Sequence, residues 1–278
     1  EMFISGVILF EETLEQKTKE GTRLSEILES KGVIPGIKVD KGAHPMDNSP
    51  LEKLTKGLDG LYNRCVDYHS LGARFAKWRA VITIGEGIPT DDCIQGNASA
   101  LAKYAKACQD AELVPIVEPE VLMDGVHTIE TCYEVSEKTF KTVFEELENE
   151  GVYLPGILLK PNMVISGKDC PVQGDMNAVA ELTVKCLTAS VPEDVPGIVF
   201  LSGGQSETEA TEHLNAMNAM GDCPWALSFS YGRALQQSAL HAWGGNNTNL
   251  ETTYATFYHR AEMNSKACHG EYSPELEI

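Results

Sequence analysis

The chain has 278 residues, of which 42% are hydrophobic and 23% are charged, as expected for a globular protein with a substantial core. Its 22 lysines and arginines face 41 aspartates and glutamates, and the resulting net charge of −19 argues against nucleic acid or an anionic membrane as partner. No apolar run approaches the roughly 20 residues of a membrane span.

Seven apolar segments, each ending in charged or glycine-rich residues, predict strands. They are Gly6–Phe10, Pro35–Asp40, Phe75–Ile82, Leu113–Val121, Gly156–Val164, Gly197–Gly204 and Trp225–Gly232. Helical patterning separates them at Glu12–Lys31, Ala98–Ala111, Ile129–Glu150, Met176–Ala189 and Ser206–Ala219. This alternation predicts an α/β protein with parallel strands and crossover helices, and both an open doubly wound sheet and a closed (β/α)8 TIM barrel fit it.

Polar residues at the strand ends favour the barrel. Pairs spaced by two close several of the strands, namely Lys38 and Asp40, Lys77 and Arg79, and Glu118 and Glu120. Residues i and i+2 of a strand point to one face, so these side chains would converge at the C-terminal mouth where barrel active sites are built. The sequence contains no G-x-G-x-x-G or G-x-x-x-x-G-K-[ST] phosphate loop, which argues against a nucleotide-binding fold.

Lys160 follows the apolar run that begins at Gly156 and precedes Pro161. At the edge of a low-dielectric interior, the charged form of a lysine is disfavoured. The neutral amine that results can attack a carbonyl to form a Schiff base. The alternative is a lysine that snorkels out of a strand end without chemical function, and this residue alone favours that alternative.

Eight scattered cysteines without a C-x-x-C motif indicate free thiols in a reducing, cytoplasmic compartment. The seven histidines are also dispersed, so no metal and no cofactor is expected. A single domain over residues 1–278 is predicted, and because a closed barrel needs eight strands, we expect an N-terminally incomplete barrel whose first strand and helix are absent.

Seven motifs in order resemble class I fructose-bisphosphate aldolases along the whole chain. They are Gly36-Ile37-Lys38-Val39-Asp40-Lys41-Gly42, Gly57-Leu58-Asp59-Gly60-Leu61, Phe75-Ala76-Lys77-Trp78-Arg79, Val114-Pro115-Ile116-Val117-Glu118-Pro119-Glu120, Leu158-Leu159-Lys160-Pro161-Asn162-Met163-Val164, Phe200-Leu201-Ser202-Gly203-Gly204-Gln205-Ser206 and Phe229-Ser230-Tyr231-Gly232-Arg233-Ala234-Leu235-Gln236. The family fold is a (β/α)8 barrel, as the strand pattern predicts.

The resemblance implies four catalytic residues. Lys160 matches the Schiff-base lysine, and Lys77 matches a cation near the reacting carbons that helps to keep Lys160 neutral. Glu118 matches the general acid/base of carbinolamine dehydration, and Glu120 is its neighbour on the same face.

The remaining matches imply two phosphate sites. The residues are Ser202, Gly203, Gly204, Gly232 and Arg233 for the ketone-side phosphate, and Lys38, with Arg79 on one reading, for the far phosphate. The sequence begins downstream of the family's first-strand catalytic aspartate.

The implied activity is reversible cleavage of fructose 1,6-bisphosphate to dihydroxyacetone phosphate and glyceraldehyde 3-phosphate, in glycolysis and gluconeogenesis, by a homotetramer that binds sugar phosphates. The alternatives are a non-catalytic scaffold that uses the same fold and a Schiff-base aldolase for another sugar phosphate. Intact Lys160, Lys77, Glu118 and Arg233 argue against the scaffold.

Overall fold

The computed structural model describes residues 2–221 and 223–277. Its strands are β1 Gly6–Leu9, β2 Ile34–Lys38, β3 Ala43–Met46, β4 Ser49–Thr55, β5 Phe75–Ile82, β6 Val114–Val121, β7 Leu158–Leu159, β8 Gly197–Phe200 and β9 Ala226–Phe229. Seven of them form one curled parallel sheet in the order β1-β2-β5-β6-β7-β8-β9, and β3 and β4 form an antiparallel hairpin. Each predicted strand segment therefore contributes to the sheet.

Helices connect successive strands of the sheet, and the last two helices follow the final strand. They are α1 Glu11–Glu15, α2 Leu24–Ser30, α3 Leu61–Ser70, α4 Asp91–Asp110, α5 Ile129–Asn149, α6 Met176–Ser190, α7 Glu207–Ala219, α8 Arg233–Trp243 and α9 Leu250–Ala267, with short 3-10 turns at Leu154–Gly156, Asn247–Asn249 and Pro274–Leu276. Across the described ranges, no helix combines the length and the apolarity needed to cross a bilayer.

The outer face of the sheet packs against the helices through alternate residues of each strand. Trp78 in β5 is fully buried and stacks on Tyr104 of α4 at a centroid distance of 5.5 Å. The Tyr104 hydroxyl donates to the carbonyls of Ala76 and Ile116, at 2.8 and 3.1 Å, and so joins β5 to β6. With Trp78 outside, the two-residue period places Lys77 and Arg79 on the inner face.

The predicted helix over Glu12–Lys31 is wrong in its middle, because the chain forms two helices with a turn between them. The N–H of Thr18 donates to the carbonyl of Thr22 at 2.8 Å, and Gly21 has a φ of +90°. A positive φ is compatible with glycine but interrupts a right-handed helix.

The β3–β4 hairpin is absent from the predicted strands, because its residues are mostly exposed or half-buried, form no continuous apolar run and include Pro45 and Pro50. It is fixed by polar contacts to the rest of the fold. Fully buried Glu52 accepts from the backbone N–H and the hydroxyl of Thr90, at 2.7 and 2.8 Å, and the Thr55 hydroxyl donates to the Arg79 carbonyl at 2.7 Å.

Phe75 fills space on the inner face that two glycines leave free. A Cβ atom on Gly36 of β2 would overlap the Phe75 ring, and one on Gly6 of β1 would lie 3.0 Å from Phe75 Cε1. Small residues opposite a large one are a usual way to fill a small barrel.

We expect Gly36→Ala to lower the free energy of unfolding by about 1–3 kcal/mol, the usual cost of adding a methyl group to a packed interior. Because Phe75 is the clashing partner, Gly36→Ala/Phe75→Leu should lose less stability than the sum of its single variants. A double-mutant cycle from denaturant unfolding measures this coupling. If the stability losses of the two single variants simply added in the double variant, the Phe75 ring would not be the reason that position 36 requires glycine.

Candidate active site

Lys160 follows β7 directly, and its backbone N–H donates to the Val117 carbonyl of β6 at 2.7 Å. Its side chain is 10% exposed, and its Nζ lies 3.1 Å from Oε1 of Glu118. The lysine that the sequence singled out therefore extends into the interior of the sheet's C-terminal mouth and does not snorkel into solvent.

An alternating row of charges continues from this pair. Oε2 of Glu118 lies 3.1 Å from the Nζ of Lys77, which is itself 3.7 Å from Oδ2 of Asp40. Oδ1 of Asp40 lies 2.7 Å from the Nζ of Lys38. Three cations and two carboxylates from the ends of β2, β5, β6 and β7 thus meet in a single row, in which Asp40 pairs with both Lys38 and Lys77.

Arg79 and Glu120 form a second ion pair beside the row, through Nε of Arg79 and Oε2 of Glu120. The Arg79 side chain is 45% exposed, whereas that of Glu120 is 11% exposed. The backbone N–H of Arg79 donates to Oδ2 of Asp40 at 3.3 Å, which ties this pair to the row. A guanidinium held at the rim and still open to solvent is suited to contact an anion.

The pKa of the Lys160 amine is lowered from its ordinary value. Burial is the largest cause, because it disfavours the ammonium form, and the charge of Lys77 lowers the pKa further. Glu118 acts in the opposite direction but does not cancel these effects. A lowered pKa increases the fraction of neutral amine, which is the nucleophilic form.

The segment after β8 forms a tight turn. The Gln205 N–H donates to the carbonyl of buried Ser202 at 2.9 Å, while Gly203 and Gly204 have φ angles of +56° and +83°. Met123, from the loop after β6, packs where a Cβ of Gly204 would lie. Successive glycines in such conformations expose backbone N–H groups that bind anions.

Gly232 and Arg233 follow the neighbouring strand β9 at the same end of the sheet. Gly232 is the N-terminal residue before α8, and glycine has no side chain to cap the helix. N–H groups at the start of the helix can therefore bind a ligand. The side chain of Arg233 is exposed and makes no hydrogen bond or ion pair with another residue that the structure describes. Ser230 donates its N–H to the Phe200 carbonyl at 2.9 Å, which holds the two loops side by side.

The predicted site residues therefore fall into two adjoining groups. The six charged members form one cluster, comprising Lys38, Lys77, Arg79, Glu118, Glu120 and Lys160, and the phosphate candidates Ser202, Gly203, Gly204, Gly232 and Arg233 follow the next strands of the sheet. The sequence reasoning missed Phe10, a 63% exposed aromatic residue whose ring centroid lies 5.9 Å from the Nζ of Lys38. Phe10 lies directly after β1, and the other site residues also lie at or just after strand ends, so this position was the sequence signal that could have identified it.

Among the described residues, no group of three or more His, Cys, Asp or Glu side chains is arranged to hold a metal ion. Six of the cysteines are buried and carry free thiols, namely Cys65, Cys93, Cys108, Cys132, Cys170 and Cys186.

Comparison with known proteins gives one consistent family. The family model for class-I fructose-bisphosphate aldolase matches residues 1–277. The chain is 54% identical over 271 residues to the probable fructose-bisphosphate aldolase class 1 of Xanthomonas axonopodis pv. citri, covering 97% of this chain and 81% of that protein. It is 52% identical over 272 residues to fructose-bisphosphate aldolase 2 of Plasmodium berghei, covering 97% and 74% of the two chains.

Among solved structures, the chain is similar to the fructose-bisphosphate aldolase of Plasmodium falciparum, crystallised in a ternary complex with TRAP and a small molecule inhibitor. The TM-score is 0.95 at 51% identity, over 98% of this chain and 79% of that chain. This similarity confirms the predicted (β/α) barrel architecture.

Lys77→Met should raise the pKa of Lys160, because it removes a neighbouring positive charge and leaves Glu118 to pair with Lys160 alone. A higher pKa means less neutral amine at a given pH. Acylation of Lys160 by a small amine-reactive acylating reagent should therefore be slower at neutral pH. Mass spectrometry of the labelled peptide over a pH series measures this rate. Lys41→Met, which changes a half-exposed lysine paired with Glu11, is the control; an unchanged pH midpoint in Lys77→Met would contradict the prediction.

Proposed function

The chain belongs to the class-I fructose-bisphosphate aldolase family and is a lyase, and we propose that it cleaves fructose 1,6-bisphosphate through a Schiff base on Lys160. The observation that carries this proposal is a buried amine with a lowered pKa, 3.1 Å from one carboxylate oxygen of Glu118. A nucleophile and a proton-transfer group within hydrogen-bond reach are the minimum requirement for this chemistry.

The steps follow from the electron demand of the reaction. The neutral amine of Lys160 attacks the C2 ketone, and the carbinolamine loses water as Glu118 delivers a proton to the departing hydroxyl. The resulting iminium accepts the electron pair of the C3–C4 bond as the Glu118 carboxylate, left after the dehydration, takes the proton of the C4 hydroxyl, which releases glyceraldehyde 3-phosphate. Protonation of the enamine at C3 and hydrolysis of the imine then return Lys160 and dihydroxyacetone phosphate.

Lys77 and Glu120 support these steps electrostatically in this proposal. The ammonium group of Lys77, 3.1 Å from Glu118, keeps that carboxylate from pairing with Lys160 alone and stabilises negative charge that develops on the substrate oxygens. Glu120 fixes the guanidinium of Arg79 at the rim. The acid/base and the cations are thus positioned before the substrate arrives.

The two phosphates of the substrate require cationic groups at both ends of the mouth. The Ser202–Gly204 turn and the uncapped start of α8 offer backbone N–H groups to the ketone-side phosphate, with Arg233 as the counter-charge. Lys38, whose side chain is 27% exposed, and Arg79 belong to β2 and β5, which are separated from β8 and β9 by β6 and β7 in the sheet, and they suit the far phosphate. In a chain with a net charge of −19, such local clusters are needed to attract an anion.

Family membership also supports a wider biological assignment. We propose a role in glycolysis and gluconeogenesis, a cytoplasmic location and a homotetrameric state. The six buried cysteines, which carry free thiols, agree with a reducing compartment.

Incubation with dihydroxyacetone phosphate followed by borohydride reduction should fix one adduct, on Lys160. Only an amine that is neutral at the working pH attacks the ketone, and reduction converts the imine to a stable secondary amine. Peptide mass spectrometry locates the adduct, and Lys160→Met should abolish it. Trapping requires only the nucleophile and one phosphate site, so it tests Lys160 separately from cleavage.

Two controls accompany the trapping experiment. A chelator should leave the adduct yield unchanged, because the iminium is the electron sink of this mechanism. Adducts spread over exposed lysines, or a yield that depends on a metal, would overturn the Schiff-base proposal. A Lys160 adduct without turnover of the bisphosphate would favour the scaffold alternative.

Lys38→Ala should reduce kcat/KM for fructose 1,6-bisphosphate more than for fructose 1-phosphate, because the monophosphate has no far phosphate to lose. Arg233→Ala should reduce both by roughly 10- to 100-fold, since a charge-assisted hydrogen bond contributes about 1.5–3 kcal/mol. Steady-state kinetics of both variants on both substrates measure the difference. Equal losses on the two substrates in Lys38→Ala would remove Lys38 from the far-phosphate site.

A further inference from the structure

The hydrogen-bond ladder between β6 and β7 is broken just where the candidate nucleophile begins. The register pairs Val117 with Leu159, and the Lys160 N–H donates to the Val117 carbonyl at 2.7 Å. In a parallel ladder, alternate residues face the same neighbouring strand, so the backbone groups of positions 117, 119 and 121 all face β7. The regular ladder would have the N–H of residue 119 donate to the Lys160 carbonyl. Residue 119 is a proline and has no N–H.

Asn162 restores the connection with its side chain. The next N–H of β6 that faces β7 belongs to Val121, and it donates to Oδ1 of Asn162 at 2.9 Å. A side-chain amide thus occupies the place of a backbone carbonyl, beyond the point at which Pro119 has ended the regular ladder. Lys160 lies between two fixed points, its own N–H bond to Val117 and the Asn162 bond two residues later.

The orientation of the Asn162 side chain is fixed by contacts with α5 and with its own loop. Asn162 is 3% exposed, and its Nδ2 donates to the Ser136 hydroxyl at 3.0 Å and to the Met163 carbonyl at 3.1 Å. Ser136 is fully buried in α5. Because both the oxygen and the nitrogen have partners, only one orientation of the amide satisfies the buried polar groups.

We propose that Asn162 is a positioning residue for Lys160. By tying the segment after β7 to the end of β6, it sets the separation between the Lys160 amine and the Glu118 carboxylate, which lies three residues before Val121 on the bonded strand. It also keeps the amine within the buried mouth. This inference rests on the proposed Schiff-base function and assigns the residue that gives the nucleophile its geometry.

A buried asparagine that contributes only stability would behave differently on substitution. Loss of stability alone lowers the melting temperature and leaves the properties of the folded fraction unchanged. Loss of positioning changes the folded enzyme, because Lys160 becomes more exposed and the burial that lowers its pKa is reduced. The pH dependence of imine formation therefore separates the two roles.

The test measures borohydride trapping of dihydroxyacetone phosphate on Asn162→Ala and on the wild-type protein, over a pH series and at saturating ligand, well below the melting temperature of each. We expect the adduct on Lys160 to form about 10- to 100-fold more slowly in the variant, the scale of loss for a misplaced reacting group. The pH midpoint of trapping should move upward, and half-saturation by dihydroxyacetone phosphate should change little.

Two matched variants serve as controls. Ser136→Ala removes one acceptor of Nδ2 but leaves the Asn162–Val121 hydrogen bond, so it should lower stability and retain the wild-type trapping rate and pH midpoint. Asn162→Asp retains an oxygen for the Val121 N–H, so its trapping rate should lie closer to wild type than that of Asn162→Ala. If Asn162→Ala does not fold, Asn162→Asp is examined alone, with hydrogen exchange of the Val121 amide as the readout of the bond.

The outcomes distinguish this inference from the function on which it rests. Absence of a Lys160 adduct in the wild-type protein would contradict the Schiff-base function itself. A wild-type adduct with an unchanged rate and pH midpoint in folded Asn162→Ala would reduce Asn162 to a stability residue. The positioning role would also be overturned by a folded Asn162→Asp that protects the Val121 amide from hydrogen exchange but forms no more dihydroxyacetone phosphate adduct than Lys160→Met.

Discussion

One carboxylate between two buried ammonium groups is the interaction on which the rest of the site depends. Glu118 contacts the Nζ atoms of Lys160 and Lys77, each at 3.1 Å, and all three side chains are 10% exposed or less. Moving an ion from water into such surroundings costs several kcal/mol, and only close partners offset that cost. Because Lys77 shares the carboxylate, the pairing with Lys160 is incomplete, and burial is able to lower the pKa of that amine.

This arrangement requires strands that place their ends together with accurate register. Parallel pairing of β5 with β6 sets Arg79 opposite Glu118, and pairing of β6 with β7 leads directly to Lys160. The pleat then directs every second side chain inward, so charges meet at the mouth while Trp78 and its neighbours pack beneath the helices. Asn162 extends the same register past Pro119, where backbone pairing cannot continue.

Local sequence patterns predicted much of the architecture, and their failures have physical causes. The seven apolar segments became the seven sheet strands, because residues buried on both faces must be continuously apolar. The segment from Gly156 was predicted as a long strand, yet only Leu158 and Leu159 pair regularly, since Pro119 lacks the N–H that would face β7 and Pro161 lacks the one that would face β8. The hairpin around Glu52 was not predicted, because its stability comes from contacts with Thr90, which is distant in sequence.

The sequence by itself determined which residues could do chemistry, because residue type and two-residue spacing depend only on local order. It indicated Lys160 as a nucleophile candidate with Lys77, Glu118 and Arg233 as charged neighbours, although Lys160 taken alone favoured a snorkelling side chain. Only the tertiary structure decided between them. Burial and the distances between charges arise from strands that are far apart in the chain, so no local pattern encodes them. For the same reason, the role of the Asn162 amide is visible only once β6 and β7 lie side by side.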